Sequence, residues 1–167
     1  GPLVRVSQGA TIFIDFRNAT EWPTAIHWHG LRLDNRFDGV PHLTQALVEP
    51  GGRFLYRVRF RDAGIYWYHP HHRADLLQDL GLAGNLLVPA PEPGYYGPAH
   101  REEVLMLDDL LLGDAGLVPY GRDRATHAVM GRFGNLTLVN GEPRWRLDDL
   151  RRGEVVRFHL TNASNVR

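Results

Sequence analysis

The chain reads as an all-β protein, a sandwich or barrel of mainly antiparallel strands, and three observations lead there. Its 167 residues are 43% hydrophobic, enough to bury a core. Short runs of β-branched, aromatic or alternating residues follow one another at close spacing. Between them stand turn signals, Asn18-Ala19-Thr20, Asp38-Gly39, Glu49-Pro50-Gly51-Gly52 and Asp62-Ala63-Gly64, where βαβ units would need helical patterns.

Taken in order, Leu3 to Ser7 is the first expected strand, followed by Thr11 to Arg17, which places Ile12, Ile14 and Phe16 on one face. Thr24 to Trp28, Arg53 to Phe60 and Gly64 to Tyr68 follow on the same grounds. Arg73 to Leu80 alone looks helical: Leu76, Leu77 and Leu80 fall at helical spacing, and Gly81 and Gly84 stop the run before a strand from Asn85 to Val88. The segment Pro89-Ala90-Pro91-Glu92-Pro93-Gly94-Tyr95-Tyr96-Gly97-Pro98 reads as a stiff linker, because proline removes ladder donors and favours extended backbone. A boundary near residue 95 divides the chain into residues 1–92, a linker over 93–100, and residues 101–167.

The two halves carry an internal repeat. Gly9 and Asn18-Ala19-Thr20 recur as Gly153 and Asn162-Ala163-Ser164, each shifted by 144 positions, with alternating residues in between. Thr11-Ile12-Phe13-Ile14 in the first copy matches Val155-Val156-Arg157-Phe158 in the second, so two copies of one β fold are expected, the second cut short. The same shift applied to His27 leads to position 171, outside the 167 residues.

Nineteen basic residues balance nineteen acidic ones, which gives no bulk charge to hold nucleic acid or an anionic membrane surface. No apolar run approaches membrane-spanning length. No basic-then-apolar leader is present either, which leaves export open. The absence of cysteine removes any disulfide framework or thiolate metal site.

The chemistry lies in two histidine pairs, His27-Trp28-His29 and His69-Pro70-His71, each at the end of a strand-like run. Alternate residues of a strand project to one face, so each pair offers two imidazoles side by side, and four can converge. Neutral imidazole suits copper, zinc, iron and nickel. A lone histidine is more often structural, and His42, His100, His127 and His159, which have no partner at ligand spacing, are read that way. Alternation turns His72 away from His71. Asp75, Gln78 and Asp79 are expected on a solvated helical face. Trp28, Trp67, Tyr66 and Tyr68 are expected to wall the histidines and hold their rotamers.

These residues resemble the multicopper oxidases, the laccase-like family built from tandem cupredoxin domains. The likeness runs through Thr24-Ala25-Ile26-His27-Trp28-His29-Gly30-Leu31, Asp38-Gly39-Val40-Pro41, Gly64-Ile65-Tyr66-Trp67-Tyr68-His69-Pro70-His71 and Gly81-Leu82-Ala83-Gly84-Asn85-Leu86-Leu87-Val88. It continues in Gly131-Arg132-Phe133-Gly134-Asn135 and Leu138-Val139-Asn140-Gly141. The resemblance implies a cupredoxin-like Greek-key β-sandwich, with residues 1–92 as one domain and 101–167 as part of a second.

The resemblance also makes His27 a ligand of the type 2 copper and His29, His69 and His71 ligands of the type 3 pair, with His29 and His69 on one copper and His71 on the other. Asp38 matches a carboxylate that helps deliver protons to bound oxygen, where the turn pattern by itself gives a residue that caps its own backbone. Dioxygen and a small reductant (a phenol, an aromatic amine or a metal ion) are the implied reactants, in a secreted or periplasmic protein. The type 1 copper needs a cysteine, and the remaining cluster ligands belong to a later domain or a neighbouring subunit. The chain is therefore expected to supply half of a trinuclear site within a longer enzyme. Met106 and Met130 give no sign of a methionine-rich insert.

Three other readings compete. A copper-binding module without turnover would share the histidines. A zinc hydrolase would need repeated βα units or an acidic residue soon after the pair, and His29-Gly30-Leu31 offers neither. Copper nitrite reductase would carry the type 1 cysteine in its first domain.

Overall fold

The computed structural model describes residues 1–121 and 123–166, which form two compact units, residues 1–78 with 82–97 and residues 79–81 with 98–167. The first unit contains strands β1 (Val4–Arg5), β2 (Thr11–Arg17), β3 (Ile26–His29), β4 (Arg53–Arg59), β5 (Gly64–Pro70) and β6 (Gly84–Val88). A single 3-10 turn, Asn35–Phe37, precedes the Asp38-Gly39 bend, and helix α1 (Ala74–Asp79) follows β5. The expected strands are therefore present with ends moved by up to two residues, and the shift of β3 brings His29 into the strand. His71 lies just beyond β5.

The strands form a four-stranded sheet, β1-β6-β5-β3, and a two-stranded sheet, β2-β4. Alternation explains the core between them. β2 presents Ile12, Ile14 and Phe16 inward, and β4 presents Phe54, Tyr56 and Val58, while their odd-numbered neighbours face out. From the larger sheet Trp28, Leu86 and Val88 meet Tyr56, Val58 and Phe60, all at most 3% exposed. Each such side chain contributes roughly 1.5–3 kcal/mol on leaving water. Tyr56 also ties the sheets through a polar contact, because its hydroxyl accepts the Ile26 N–H at 3.0 Å.

β5 runs antiparallel to both β3 and β6, but β1 pairs parallel with β6. The sheet is thus mixed, where the turn signals predict mainly antiparallel pairing. β1 and β6 are remote in sequence and meet across the whole unit, so no hairpin dictates their direction.

The second unit holds β7 (Arg101–Leu110), β8 (Leu112–Gly113), β9 (Gly116–Leu117), helix α2 (Arg124–Met130), β10 (Leu136–Val139) and β11 (Val156–Asn162). β7 lies between β10, antiparallel, and β11, parallel. The sequence pattern does not predict helix α2: its seven residues contain no buried side chain and hence no apolar stripe. The repeat has a shared local geometry. Gly9 and Gly153 have φ of 84° and 82°, and the Oδ1 of Asn18 and of Asn162 accept the N–H of Thr20 and Ser164 at 3.0 and 3.1 Å.

Among the described residues no helix is long and apolar enough to cross a membrane.

Candidate metal centre

The site is made by the pairing of β3 with β5. His27 stands opposite His69 in the ladder, and His29 stands opposite Trp67. Directly opposed residues share a face, so His27, His29, His69 and Trp67 project to one side of the sheet and Trp28 and Tyr68 to the other, into the core. His71, one step past β5, stays on the histidine side: its ring lies 4.6 Å from that of His27 and stacks at 5.5 Å on that of His69. Ligand nitrogens of His27, His69 and His71 lie within 4.8 Å of one another. His29 joins them through Nδ1, which is 3.2 Å from His69 Nε2.

Hydrogen bonds fix which nitrogens face inward. His27 Nδ1 lies 2.7 Å from the main-chain carbonyl oxygen of Asp38, which can only accept, so Nδ1 carries the proton and Nε2 keeps its lone pair. The Asp38 carboxylate lies beside the same ring, with Oδ1 3.3 Å from Nδ1. His69 Nδ1 donates to the carbonyl of Pro70 at 3.0 Å, which likewise leaves Nε2 free. Such bonds to the distal nitrogen set the tautomer and orient the ring for a metal.

Electrostatics favour neutral imidazole. Burial pushes the His69 pKa down to about 4, with the neighbouring histidines adding to the effect and the Pro70 carbonyl opposing it. Burial, followed by the nearby His27, also lowers His29 and His71. Rings that resist protonation keep their lone pairs for a cation, and four imidazoles with no thiolate fit copper or another borderline metal ion.

Of the four aromatic residues expected to wall the site, Trp67 touches it. Its ring stacks on His69 at 4.2 Å and lies 5.1 Å from His29. Trp28 instead packs against Tyr56 and Tyr68 in the core, and the Tyr68 hydroxyl donates to the Pro2 carbonyl. The signal that separates Trp67 from Trp28 is parity along the strand.

Asp79 departs from expectation. Helical spacing puts it on a solvated face, but its side chain is 1% exposed. Within the second unit its carboxylate accepts from Tyr120 Oη, from Arg132 at 3.0 Å and from Asn165 Nδ2 at 2.6 Å. The Arg132 guanidinium also lies over the Tyr120 ring at 4.1 Å. These partners are 41 to 86 residues away in sequence, so no local pattern announces them. Of the histidines read as structural, His159 is buried beside Glu102 at 3.6 Å, and His100 Nδ1 accepts the Val155 N–H.

Known proteins resemble the chain throughout. The family model described as multicopper oxidase matches residues 1–93. Copper resistance protein A of Pseudomonas syringae pv. tomato is 40% identical over 111 residues, covering 65% of this chain and 17% of that protein. Multicopper oxidase MmcO of Mycobacterium tuberculosis is 42% identical over 110 residues, 65% of this chain and 21% of that protein. The solved structure of a multi-copper oxidase from Pseudomonas thermotolerans superposes with a TM-score of 0.84 at 36% identity, over all of this chain and 40% of that one. Lac15 from a marine microbial metagenome gives 0.78 at 37% identity, again over all of this chain and 40% of that one. The chain thus spans about a fifth of these curated relatives and two fifths of these structures.

Proposed function

The chain belongs to the multicopper oxidase family, and from that premise we propose that its four histidines hold copper in an enzyme that couples one-electron oxidation of a small reductant to reduction of dioxygen to water. The observation that carries the reading is the convergence of ligand nitrogens from both histidine pairs on one face of the β3–β5 pair. His27 would hold the type 2 copper through the Nε2 that its Nδ1–H bond leaves free; His29 and His69 would share one type 3 copper, and His71 would hold the other. Bound copper supplies the one-electron acceptor and the store of electrons that dioxygen requires.

The residues of this chain prepare that chemistry. The Asp38 carbonyl holds the His27 proton at Nδ1, and the Pro70 carbonyl does the same for His69. Trp67 packs on the rings of His69 and His29 and keeps them from turning. The Asp38 carboxylate, partly exposed beside the cluster, takes protons from solvent and hands them inward. Four histidines are half of a trinuclear ligand set, and a further cupredoxin domain or a neighbouring subunit supplies the rest. Residues 1–92 form a first cupredoxin domain and 101–167 part of a second; the matching asparagine turns support that division. The reductant is a phenol, an aromatic amine or a metal ion, and the setting is secreted or periplasmic.

The test is copper content and dioxygen consumption in the complete oxidase. Replacing His69 by Ala should lower bound copper and abolish oxygen uptake. Full copper occupancy without oxygen uptake in the unmodified protein would favour the alternative, a binding module without turnover. Full occupancy in the His69→Ala protein would remove the assignment.

A further inference from the structure

The Asp38-Gly39 bend lies against the ligand strand more closely than a side chain would permit. Gly39 is buried, with φ of 74°. A β-carbon built there would overlap the carbonyl group of Ile26 and come within 2.9 Å of His27 N. All of these are main-chain atoms of β3, where a rotamer change cannot relieve the overlap. The strand is itself held in register with β5, Ile26 opposite Pro70 and His27 opposite His69. Either the bend or the ligand strand would have to move.

We propose that Gly39 is a positioning residue for His27: because it has no side chain, the bend closes on the ligand strand until the main-chain carbonyl of Asp38 captures His27 Nδ1–H and directs Nε2 to the metal. This deepens the copper reading and rests on it. Two observations support it together, the 2.7 Å contact to the carbonyl oxygen and the longer 3.3 Å approach of the carboxylate to the same nitrogen. The backbone, rather than the acidic side chain, therefore fixes the tautomer. Asp38 then has two separable parts: a carbonyl that orients a ligand and a carboxylate that remains available for proton transfer.

The experiment compares three variants of the complete protein. Gly39→Ala carries both the overlap and the backbone strain of a positive φ. Gly51→Ala carries the strain alone, since φ there is 78° and a β-carbon added to it would meet nothing within 4 Å. Asp38→Ala removes the carboxylate and keeps the carbonyl. Nitrogen-15 shifts of His27 in copper-free protein report the tautomer, and the type 2 electron paramagnetic resonance signal with copper titration reports binding. Gly39→Ala should lose the Nδ1–H tautomer and weaken copper at the His27 position at least tenfold, while Gly51→Ala and Asp38→Ala keep the tautomer and stay within about twofold of the parent.

An Nε2–H tautomer in the unmodified protein would overturn the proposal, as would full copper binding by Gly39→Ala, or loss of the tautomer in Asp38→Ala. If Gly39→Ala fails to fold, the tautomers of the parent and of Asp38→Ala still decide. If the parent binds no copper, the copper reading fails, and the tautomer measurement still decides whether the bend orients His27.

Discussion

His29 Nδ1 and His69 Nε2 face each other at 3.2 Å, and the other nitrogen of His69 is already committed to the Pro70 carbonyl. The free lone pair of His69 is therefore directed at His29, and the two rings offer a cation adjacent nitrogens. In the copper-free protein one proton can lie between them; a bound metal would replace it, so metal affinity must fall with acid.

Stability should follow the same proton chemistry. The folded pKa of His69 is about 4, below its ordinary value of 6.5. Between those values the unfolded chain binds more protons, so stability is fully present above pH 6.5 and lost as pH falls toward 4. Once solvent screening is allowed for, the shift corresponds to a loss on the order of 2 kcal/mol. Urea unfolding of copper-free protein from pH 8 to 4 should show this decline, and His69→Gln should flatten it. An equal decline in both proteins would assign the acid sensitivity to other groups.

Asp38→Asn keeps the carbonyl that orients His27 and removes the carboxylate's capacity to carry a proton. Copper content should match the parent, while reoxidation of the reduced enzyme by dioxygen slows about tenfold or more, most severely at higher pH where protons are scarce. Rapid mixing with oxygenated buffer measures it. Unchanged reoxidation would return Asp38 to the role of a turn residue.

Burial, followed by the nearby charges of Asp79 and Asp109, pushes Asp108 up to about 6. Its folded pKa is above the ordinary 3.8, so the folded state is penalised increasingly as pH rises from 4 to 6. Asp108→Asn should therefore stabilise the protein at pH 7.5 by about 1 kcal/mol once solvent screening is allowed for, and by nothing below pH 4. Thermal melts at the two pH values test both arms.

Removing one partner of a buried pair leaves the other uncompensated. Arg132 bridges Asp79 and the Val118 carbonyl, so Arg132→Leu should cost roughly 3–5 kcal/mol. Asp79→Asn in the same background should recover part of that loss. Denaturant midpoints of the single and double variants check it, and additive effects would mean that the pair does not act as a unit.

Much of this is legible in the sequence because strand periodicity carries it. Ile12, Ile14 and Phe16, and Phe54, Tyr56 and Val58, announce their inward faces by alternation, and the same parity brings the four histidines to one side. Contacts that depend on long-range packing are not legible. Asp79 looks like a surface residue until Arg132 and Asn165 fold around it, and the Asp38-Gly39 bend reads as an ordinary turn until β3 is placed against it. Helix α2 leaves no trace in the pattern because an element with no buried side chain has no periodicity to betray it. Trp67 and Trp28 differ by one step of parity, and register alone tells which touches the histidine cluster.

That register also makes metal capture a measure of folding fidelity. A slip of one residue between β3 and β5 would turn His27 and His29 into the apolar core and bring Ile26 and Trp28 outward. A misaligned chain would then carry its two histidine pairs on opposite faces with no four-imidazole cluster for copper to grip, and copper would favour molecules whose strands have zipped correctly. Copper present during refolding should therefore enrich the native alignment over its neighbours, which would give the ion a part in quality control before any electron is transferred.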